Sequence, residues 1–179
     1  PIRNTIAEIY GLEQDQMRVI CPDVGDGFGA KAHAAPEAVV LSELSRRTGR
    51  PVRWTETRSE NMTGMGHGRG QIQTVTLGGT KDGDLLAYRI EIIQDAGGYP
   101  NVGAILPYAT RIMASGVYDI PAVQVSSHSV ATNTTPTGAY RGAGRPEASA
   151  ALERAVDLFA DEAGLDPADV RRRNFVRPD

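Results

Sequence analysis

The sequence of 179 residues has few of the side chains that form disulfides or bind metals: it has one cysteine, Cys21, and three histidines. A single thiol excludes an intramolecular disulfide framework, and the wide spacing of the histidines excludes a zinc module of the Cys/His type. No apolar run approaches the roughly 18 residues of a membrane span. The charges nearly cancel, with 19 Lys and Arg against 22 Asp and Glu. Proteins dedicated to nucleic-acid binding are usually basic, so this class is disfavoured.

Glycine and proline are abundant, with 20 and 11 residues, above their usual shares of about 7% and 5%. This composition predicts many turns and close backbone approaches. The length fits one ordinary domain, and we predict a single domain over residues 1–179. The chain is amphipathic from its start and stops directly after a helical pattern, so we expect a fragment of a longer protein, truncated at both ends.

The hydrophobic periodicities predict an α/β fold of the mixed α+β kind rather than a doubly wound sheet. Helices are predicted over residues 2–10, about 36–48, 146–163 and from 167 onward. Strands are predicted over residues 17–22 and 51–55, both short and the first buried, and over 71–78, 85–95 and 123–132. Residues 56–62 are polar and lead into a glycine-rich loop, and 104–117 allow a short helix. The Asp82-Gly83 pair predicts a hairpin between the strands that flank it.

A first glycine cluster, Gly25-Asp-Gly-Phe-Gly-Ala-Lys31, separates a predicted strand from a predicted helix. It is not a Walker A loop, because Ala32 stands where that motif needs a hydroxyl for Mg²⁺. The pattern Gly25-x-Gly27-x-x-Ala30 fits a dinucleotide fingerprint loosely, although the acidic Glu56 comes later than the roughly 20 residues that this motif expects. A tight turn without a ligand is the third interpretation.

A family resemblance adds a fourth interpretation. Residues 18–31 resemble the Gly-Gly-Phe-Gly signature of the molybdenum hydroxylases, the family of the xanthine dehydrogenase, aldehyde oxidoreductase and carbon monoxide dehydrogenase large subunits. The likeness continues in order through residues 49–60, through the second glycine loop at 139–148, and through 163–178. Two spaced glycine loops with a tryptophan segment between them are more specific than either loop alone.

The resemblance implies roles for particular residues and a cofactor. The cofactor would be molybdopterin, in its cytosine dinucleotide form, with molybdenum, and no side chain of this chain would bind the metal directly. Arg141 would be the catalytic residue, facing the substrate, where a fixed guanidinium stabilises developing negative charge. The general base of the family would lie outside this chain, so the fragment alone is expected to be inactive. The residues expected to bind the cofactor are Gly27, Phe28, Gly29, Arg141, Gly142 and Ala143.

The implied enzyme oxidises an aldehyde or a heterocycle with water as the oxygen source. It would be cytoplasmic, with a [2Fe–2S] cluster and FAD on partner subunits, a small-molecule substrate, no nucleic acid and no membrane span. Family members that oxidise purines have phenylalanine where Ala143 stands and glutamate where Ala32 stands, which disfavours a xanthine-type substrate. Carbon monoxide oxidation is disfavoured because Gly142 and Ala143 supply no sulfur for copper.

The alternatives are a Rossmann-type dinucleotide-binding domain and a non-catalytic α/β module. We also expect Arg145 to balance the charge of Glu147.

Overall fold

The computed structural model describes residues 2–177. Its chain divides into two compact units, residues 1–65 and 66–179, and each unit is described by itself. Helices and strands both occur, so the fold is mixed α/β as the sequence predicts. That the whole chain acts as one domain stays a prediction.

In the first unit the described residues form three α-helices, α1 (Ile2–Tyr10), α2 (Pro36–Thr48) and α3 (Arg58–Gly64), and a short 3₁₀ helix (Gln14–Gln16). The prediction of the first two helices is confirmed. α2 begins with a proline at its first turn and ends at Gly49, whose φ of 62° is left-handed and suits a glycine. α1 contacts α2 through the Tyr10 hydroxyl, which donates to the Val39 carbonyl at 2.5 Å.

Two strand predictions in this unit are wrong. Residues 17–22 and 51–55 form no strand, and the described residues 2–65 contain none at all. Ile20 is 69% exposed and Cys21 is also exposed, so the segment is not buried. An extended segment becomes a strand only when a neighbour accepts and donates its ladder hydrogen bonds, and no described part of this unit does so. The dinucleotide-binding interpretation, which needs those strands, therefore loses its basis.

The helix α3 was missed by the sequence analysis, which described residues 56–62 only as polar. A capping box begins it: the Glu60 amide donates to the Thr57 hydroxyl at 3.3 Å, and the Thr57 amide donates to the Glu60 carboxylate at 2.7 Å. The Thr-x-x-Glu spacing was visible in the sequence and could have predicted this helix.

The second unit is built on a three-stranded sheet of order β1-β2-β3. Its strands are β1 (Gln71–Gly79), β2 (Leu85–Gly97) and β3 (Ala122–Ala131). β1 and β2 form the predicted antiparallel hairpin, with Gly83 at a φ of 94° in the turn. β3 pairs with β2 in parallel. All three strand predictions in this unit are confirmed.

Three helices accompany the sheet: α4 (Val102–Arg111), α5 (Arg145–Ala163) and α6 (Pro167–Asn174). α4 lies in the connection between β2 and β3. α6 begins as predicted, with the Asp166 carboxylate accepting from the amides of Ala168 and Asp169. None of the helices in the described part of the chain is long and apolar enough to cross a membrane.

The hydrophobic core of this unit lies between one face of the sheet and the helices. On β2 alternate residues point inward and are almost wholly buried, as the two-residue period of a strand requires. The buried face of α5 packs against these residues. The buried core residues are Leu85, Tyr88, Ile90, Ile92, Ala114, Tyr118, Ile120, Leu152, Val156, Ala160 and Val170. This core holds α5 against the sheet through Leu152, Val156 and Ala160, and the second glycine loop leads directly into that helix.

Candidate functional site

The first glycine loop is an irregular turn in the first unit, between α1 and α2. Two residues in it that are not glycine have left-handed backbones, Asp26 with a φ of 103° and Phe28 with a φ of 48°. Such conformations each cost roughly 1–3 kcal/mol and cluster at functional sites. Phe28 is 40% exposed. The predicted cofactor-binding residues Gly27, Phe28 and Gly29 therefore lie together on a strained and accessible turn.

The backbone amides of this loop converge on one anionic oxygen. The Gly27 amide donates to Asp26 Oδ1 at 2.6 Å, and the Phe28 amide donates to the same atom at 3.1 Å. The turn is closed by the Ala30 amide, which donates to the Gly27 carbonyl at 3.0 Å. Successive amides that point to one place form a concavity suited to an anion, and here the chain's own carboxylate fills it.

The second glycine loop, residues 138–144, runs directly into α5. Within it the Ala143 amide donates to the Tyr140 carbonyl at 2.8 Å, and the Arg145 amide donates to the Gly142 carbonyl at 2.9 Å. Gly142 and Gly144 have φ of 78° and 86°, which explains the glycines at these positions. The predicted residues Arg141, Gly142 and Ala143 thus lie on two successive tight turns, and Arg141 is exposed.

An ion pair with one buried partner lies against this loop. The Glu147 side chain is 6% exposed and forms a salt bridge of 3.3 Å with Nη1 of Arg69. Its other oxygen accepts the Gly144 amide at 2.9 Å. The expectation that Arg145 balances Glu147 is wrong, because the balancing cation comes from the segment before β1. No local spacing signals this pairing, since the two residues are 78 positions apart.

A polar cluster anchors the chain where it leaves β3 and approaches the loop. The Thr137 hydroxyl donates to the Asp95 carbonyl at 2.7 Å. The Asp95 carboxylate accepts from the hydroxyls of Thr132 and Thr134 and from the Gly97 amide. These three donors, the Thr132 hydroxyl first, hold the pKa of the Asp95 carboxyl below its usual value. The segment before the loop is thus tied to the end of β2.

The six predicted site residues fall in two groups of three, one on each glycine loop. The two loops belong to different units. Sequence reasoning missed Arg69 as a member of the second group; the glycines on either side of it were the one local signal. In residues 2–177 no group of three or more His, Cys, Asp or Glu side chains is arranged to hold a metal ion.

Curated relatives match nearly the whole chain but extend far beyond it. The chain is 33% identical to the nicotine 6-hydroxylase large subunit of Paenarthrobacter nicotinovorans, over 98% of this chain and 22% of that protein. It is 33% identical to the carbon monoxide dehydrogenase large chain of Hydrogenophaga pseudoflava, with the same two coverages of 98% and 22%. It is 32% identical to the aldehyde oxidoreductase of Megalodesulfovibrio gigas, over 97% of this chain and 19% of that protein. The chain therefore spans about a fifth of these relatives' length.

Solved structures and a family model agree with these relatives. The fold matches quinoline 2-oxidoreductase from Pseudomonas putida 86 with a TM-score of 0.91 and 40% identity, over 99% of this chain and 23% of that one. It matches the aldehyde oxidoreductase from Desulfovibrio gigas with a TM-score of 0.89 and 31% identity, over 98% of this chain and 19% of that one. A family model described as the molybdopterin cofactor-binding domain matches residues 1–175. The chain therefore belongs to the molybdopterin cofactor-binding domain family, the family of the molybdenum hydroxylases.

Proposed function

We propose that this chain is the part of a molybdenum hydroxylase large subunit that contributes two glycine loops to the molybdopterin pocket. The observation that carries the proposal is the match of the molybdopterin-binding family to nearly the whole chain. The complete enzyme oxidises an aldehyde or a heterocycle and takes the oxygen from water. Molybdenum held by the pterin supplies the two-electron chemistry.

The first loop has donors that fit an anionic oxygen of such a cofactor. The amides of Gly27 and Phe28 already converge on a carboxylate oxygen of Asp26, and a Cβ added at Gly25 would meet nothing within 4 Å. These two amides would hold the cofactor once the Asp26 side chain releases them. The cytosine dinucleotide form of the pterin is part of this proposal.

The second loop contributes the catalytic group. Arg141 faces the substrate and stabilises the negative charge that develops on the reacting oxygen, which a permanently charged guanidinium does well in a site shielded from water. Gly142 and Ala143 form the floor beside it and leave room because their side chains are absent or small. The general base comes from outside this chain, so these 179 residues alone are inactive.

The same comparison supports the proposed substrate and partners. Relatives named as a large subunit or a large chain support partner subunits that carry a [2Fe–2S] cluster and FAD in a cytoplasmic complex. The small Ala143 and the absence of a cysteine at Gly142 or Ala143 favour an aldehyde or heterocycle over a purine or carbon monoxide.

Metal and pterin analysis of the complete purified protein tests the cofactor. We expect about one molybdenum and one pterin per large subunit, together with turnover of aldehydes or N-heterocycles that incorporates ¹⁸O from labelled water. A protein that holds nicotinamide or flavin on this subunit and no molybdenum contradicts the proposal.

Replacement of Arg141 in the complete enzyme tests the catalytic assignment. We expect Arg141→Met to lower kcat per bound molybdenum by about 100-fold, as the loss of one preorganised charge-stabilising donor usually does, while the molybdenum content stays at the wild-type level. Arg172→Met is the matched control, because Arg172 is a largely exposed arginine on α6 paired with Asp169. Equal kcat values for the two variants would remove Arg141 from the mechanism.

A further inference from the structure

Arg69 binds two adjacent residues of the second loop through one guanidinium. Its Nη1 donates to the Tyr140 carbonyl at 3.1 Å, and its Nη2 donates to the Arg141 carbonyl at 2.6 Å. The same guanidinium lies 5.3 Å from the centre of the Tyr140 ring, within the range of a cation–π contact. The carbonyls of two successive peptide units, which flank the Cα of Arg141, are therefore held by a single rigid group.

Glu147 completes the arrangement from the other end of the loop. One of its oxygens pairs with Arg69 and the other accepts the Gly144 amide. The carboxylate therefore connects the cation that holds residues 140 and 141 to the amide at which the loop becomes a helix. Because the side chain of Glu147 is 6% exposed, water competes little for its bond with the buried Gly144 amide.

The segment that carries Arg69 is itself fixed against the loop by backbone contacts. The His67 amide donates to the Pro136 carbonyl at 3.3 Å, and the Gly138 amide donates to the His67 carbonyl at 2.8 Å. A Cβ added at Gly68 would lie 2.9 Å from the Cβ of Tyr140, so the glycine permits this close approach. Arg69 has a left-handed φ of 67°, a strained backbone that an arginine adopts only where its surroundings over-determine it.

We propose that Arg69 and Glu147 are a positioning pair, which fixes the backbone of residues 140–144 and thereby directs the Arg141 side chain. The inference rests on the proposed function, since it assigns the pair to the support of the group that faces the substrate. The rigid, planar guanidinium places two separate nitrogens against two carbonyls and a carboxylate, whereas an ammonium has a single nitrogen, so we expect lysine to replace Arg69 poorly. Displacement of a catalytic group by about 1 Å can lower a rate by about 100-fold, so the pair acts on turnover without contacting the substrate.

Variants of the complete enzyme test this pair with two independent measurements. We expect Arg69→Met to raise hydrogen exchange of the amides of residues 140–147 by about tenfold or more. We expect it to lower kcat per bound molybdenum by about 10- to 100-fold with a smaller change in KM. Arg69→Lys is the variant that keeps the charge, and it should also raise the exchange because its one nitrogen does not reproduce the two separate nitrogens that bind the Tyr140 and Arg141 carbonyls. Glu147→Gln keeps an acceptor for the Gly144 amide and should have a smaller effect than Glu147→Ala.

Arg171 is the matched structural control. It also binds two carboxylates and two carbonyls, those of Glu153, Asp157 and Pro167, but it ties α5 to α6 away from the loop. Arg171→Met should lower the melting temperature and leave both kcat per molybdenum and the exchange of residues 140–147 unchanged. If Arg69→Met and Arg69→Lys behave in the same way as Arg171→Met, the pair is merely structural and the proposal is overturned. If the purified wild-type protein contains no molybdenum, the proposed function is wrong. The role of the Arg69–Glu147 pair in fixing the loop is still tested, because the hydrogen-exchange measurement does not depend on the cofactor.

Discussion

Gly144 is the residue at which the second loop becomes α5, and the structure leaves it no room for a side chain. A Cβ added there would lie 2.5 Å from the Cβ of Ala109 and 2.7 Å from the Thr110 amide nitrogen. Its φ of 86° is also one that other residues adopt only with strain. Crowding and backbone conformation therefore act in the same direction at this position.

Substitution of Gly144 should destabilise the protein strongly. We expect Gly144→Ala to lower the free energy of unfolding by about 3 kcal/mol, since overpacking and a left-handed non-glycine backbone each cost about 1–3 kcal/mol. Gly138→Ala is the control in the same loop, because a Cβ there meets nothing within 4 Å. Urea unfolding of both variants measures the difference. Similar unfolding midpoints would show that the residues around Gly144 rearrange to accept a Cβ at little cost in stability.

At this scale the sequence identifies residues whose role is local. The second glycine loop and its proline-led helix could be located from their own residues. The partner of Glu147 could not be identified in this way, because Arg69 lies 78 positions earlier in the chain and only the folded sheet brings the two together. The capping role of Asp166 required only three neighbouring residues, and that prediction is confirmed.

Among the elements, α6 is tied to the β1–β2 hairpin by one buried side chain. The Asn174 amide group donates to the carbonyls of Gly83 and Val170, and its oxygen accepts the Leu85 amide, all within 2.8 Å. Asn174 is 7% exposed. The three bonds use both amide hydrogens and the oxygen of the side chain in a place that water barely reaches.

Removal of this side chain should uncouple the helix from the hairpin. We expect Asn174→Ala to lower the free energy of unfolding by about 2–3 kcal/mol, because the Leu85 amide and the Gly83 carbonyl are left buried without a partner. Arg172→Ala is the control, as it removes only an exposed pair on the same helix. Thermal unfolding provides the measurement, and equal melting temperatures would contradict the coupling.

The predictions of whole elements succeeded where the pattern and the pairing partner both lie within the chain. The β1–β2 hairpin is fixed by alternation and by Asp82-Gly83, and α5 by its apolar stripe. The segments at 17–22 and 51–55 have the composition of strands, yet composition does not provide a neighbour. These two predictions were wrong because the segments have no strand to pair with in the described part of the chain, and the local sequence does not show whether such a neighbour exists.

At the scale of the whole molecule, two tyrosines are buried beneath the second unit's helices. Burial raises the pKa of Tyr88 to about 12. Burial, followed by the hydrogen bond and the charge of Glu153, raises the pKa of Tyr118 to about 12 as well. Because the folded-state pKa exceeds the ordinary value of 10.0, the neutral side chains favour folding fully below pH 10. That contribution is lost as the pH rises from 10 through 12.

Alkaline titration should therefore detect the raised pKa of these two tyrosines. We expect the ¹³Cζ NMR signals of Tyr88 and Tyr118 to titrate near pH 12, or only when the protein unfolds. Tyr118→Phe and Tyr88→Phe assign the two signals, and each variant should lose less stability between pH 10 and 12 than the wild type. Titration of either signal near pH 10 would mean that water reaches the ring.

The two neighbours of the central strand β2 are connected to it by segments of very different length. β1 joins it through residues 80–84, whereas β3 returns only after residues 98–121 have been made. Since closing a longer stretch of chain loses more entropy, we expect the hairpin to form ahead of the parallel pair, and during synthesis before β3 has been made. In that interval one side of β2 presents unmatched amides and carbonyls, to which a nascent neighbour could add a strand. The pace of translation through residues 98–131 thus governs how long each new copy is exposed to aggregation.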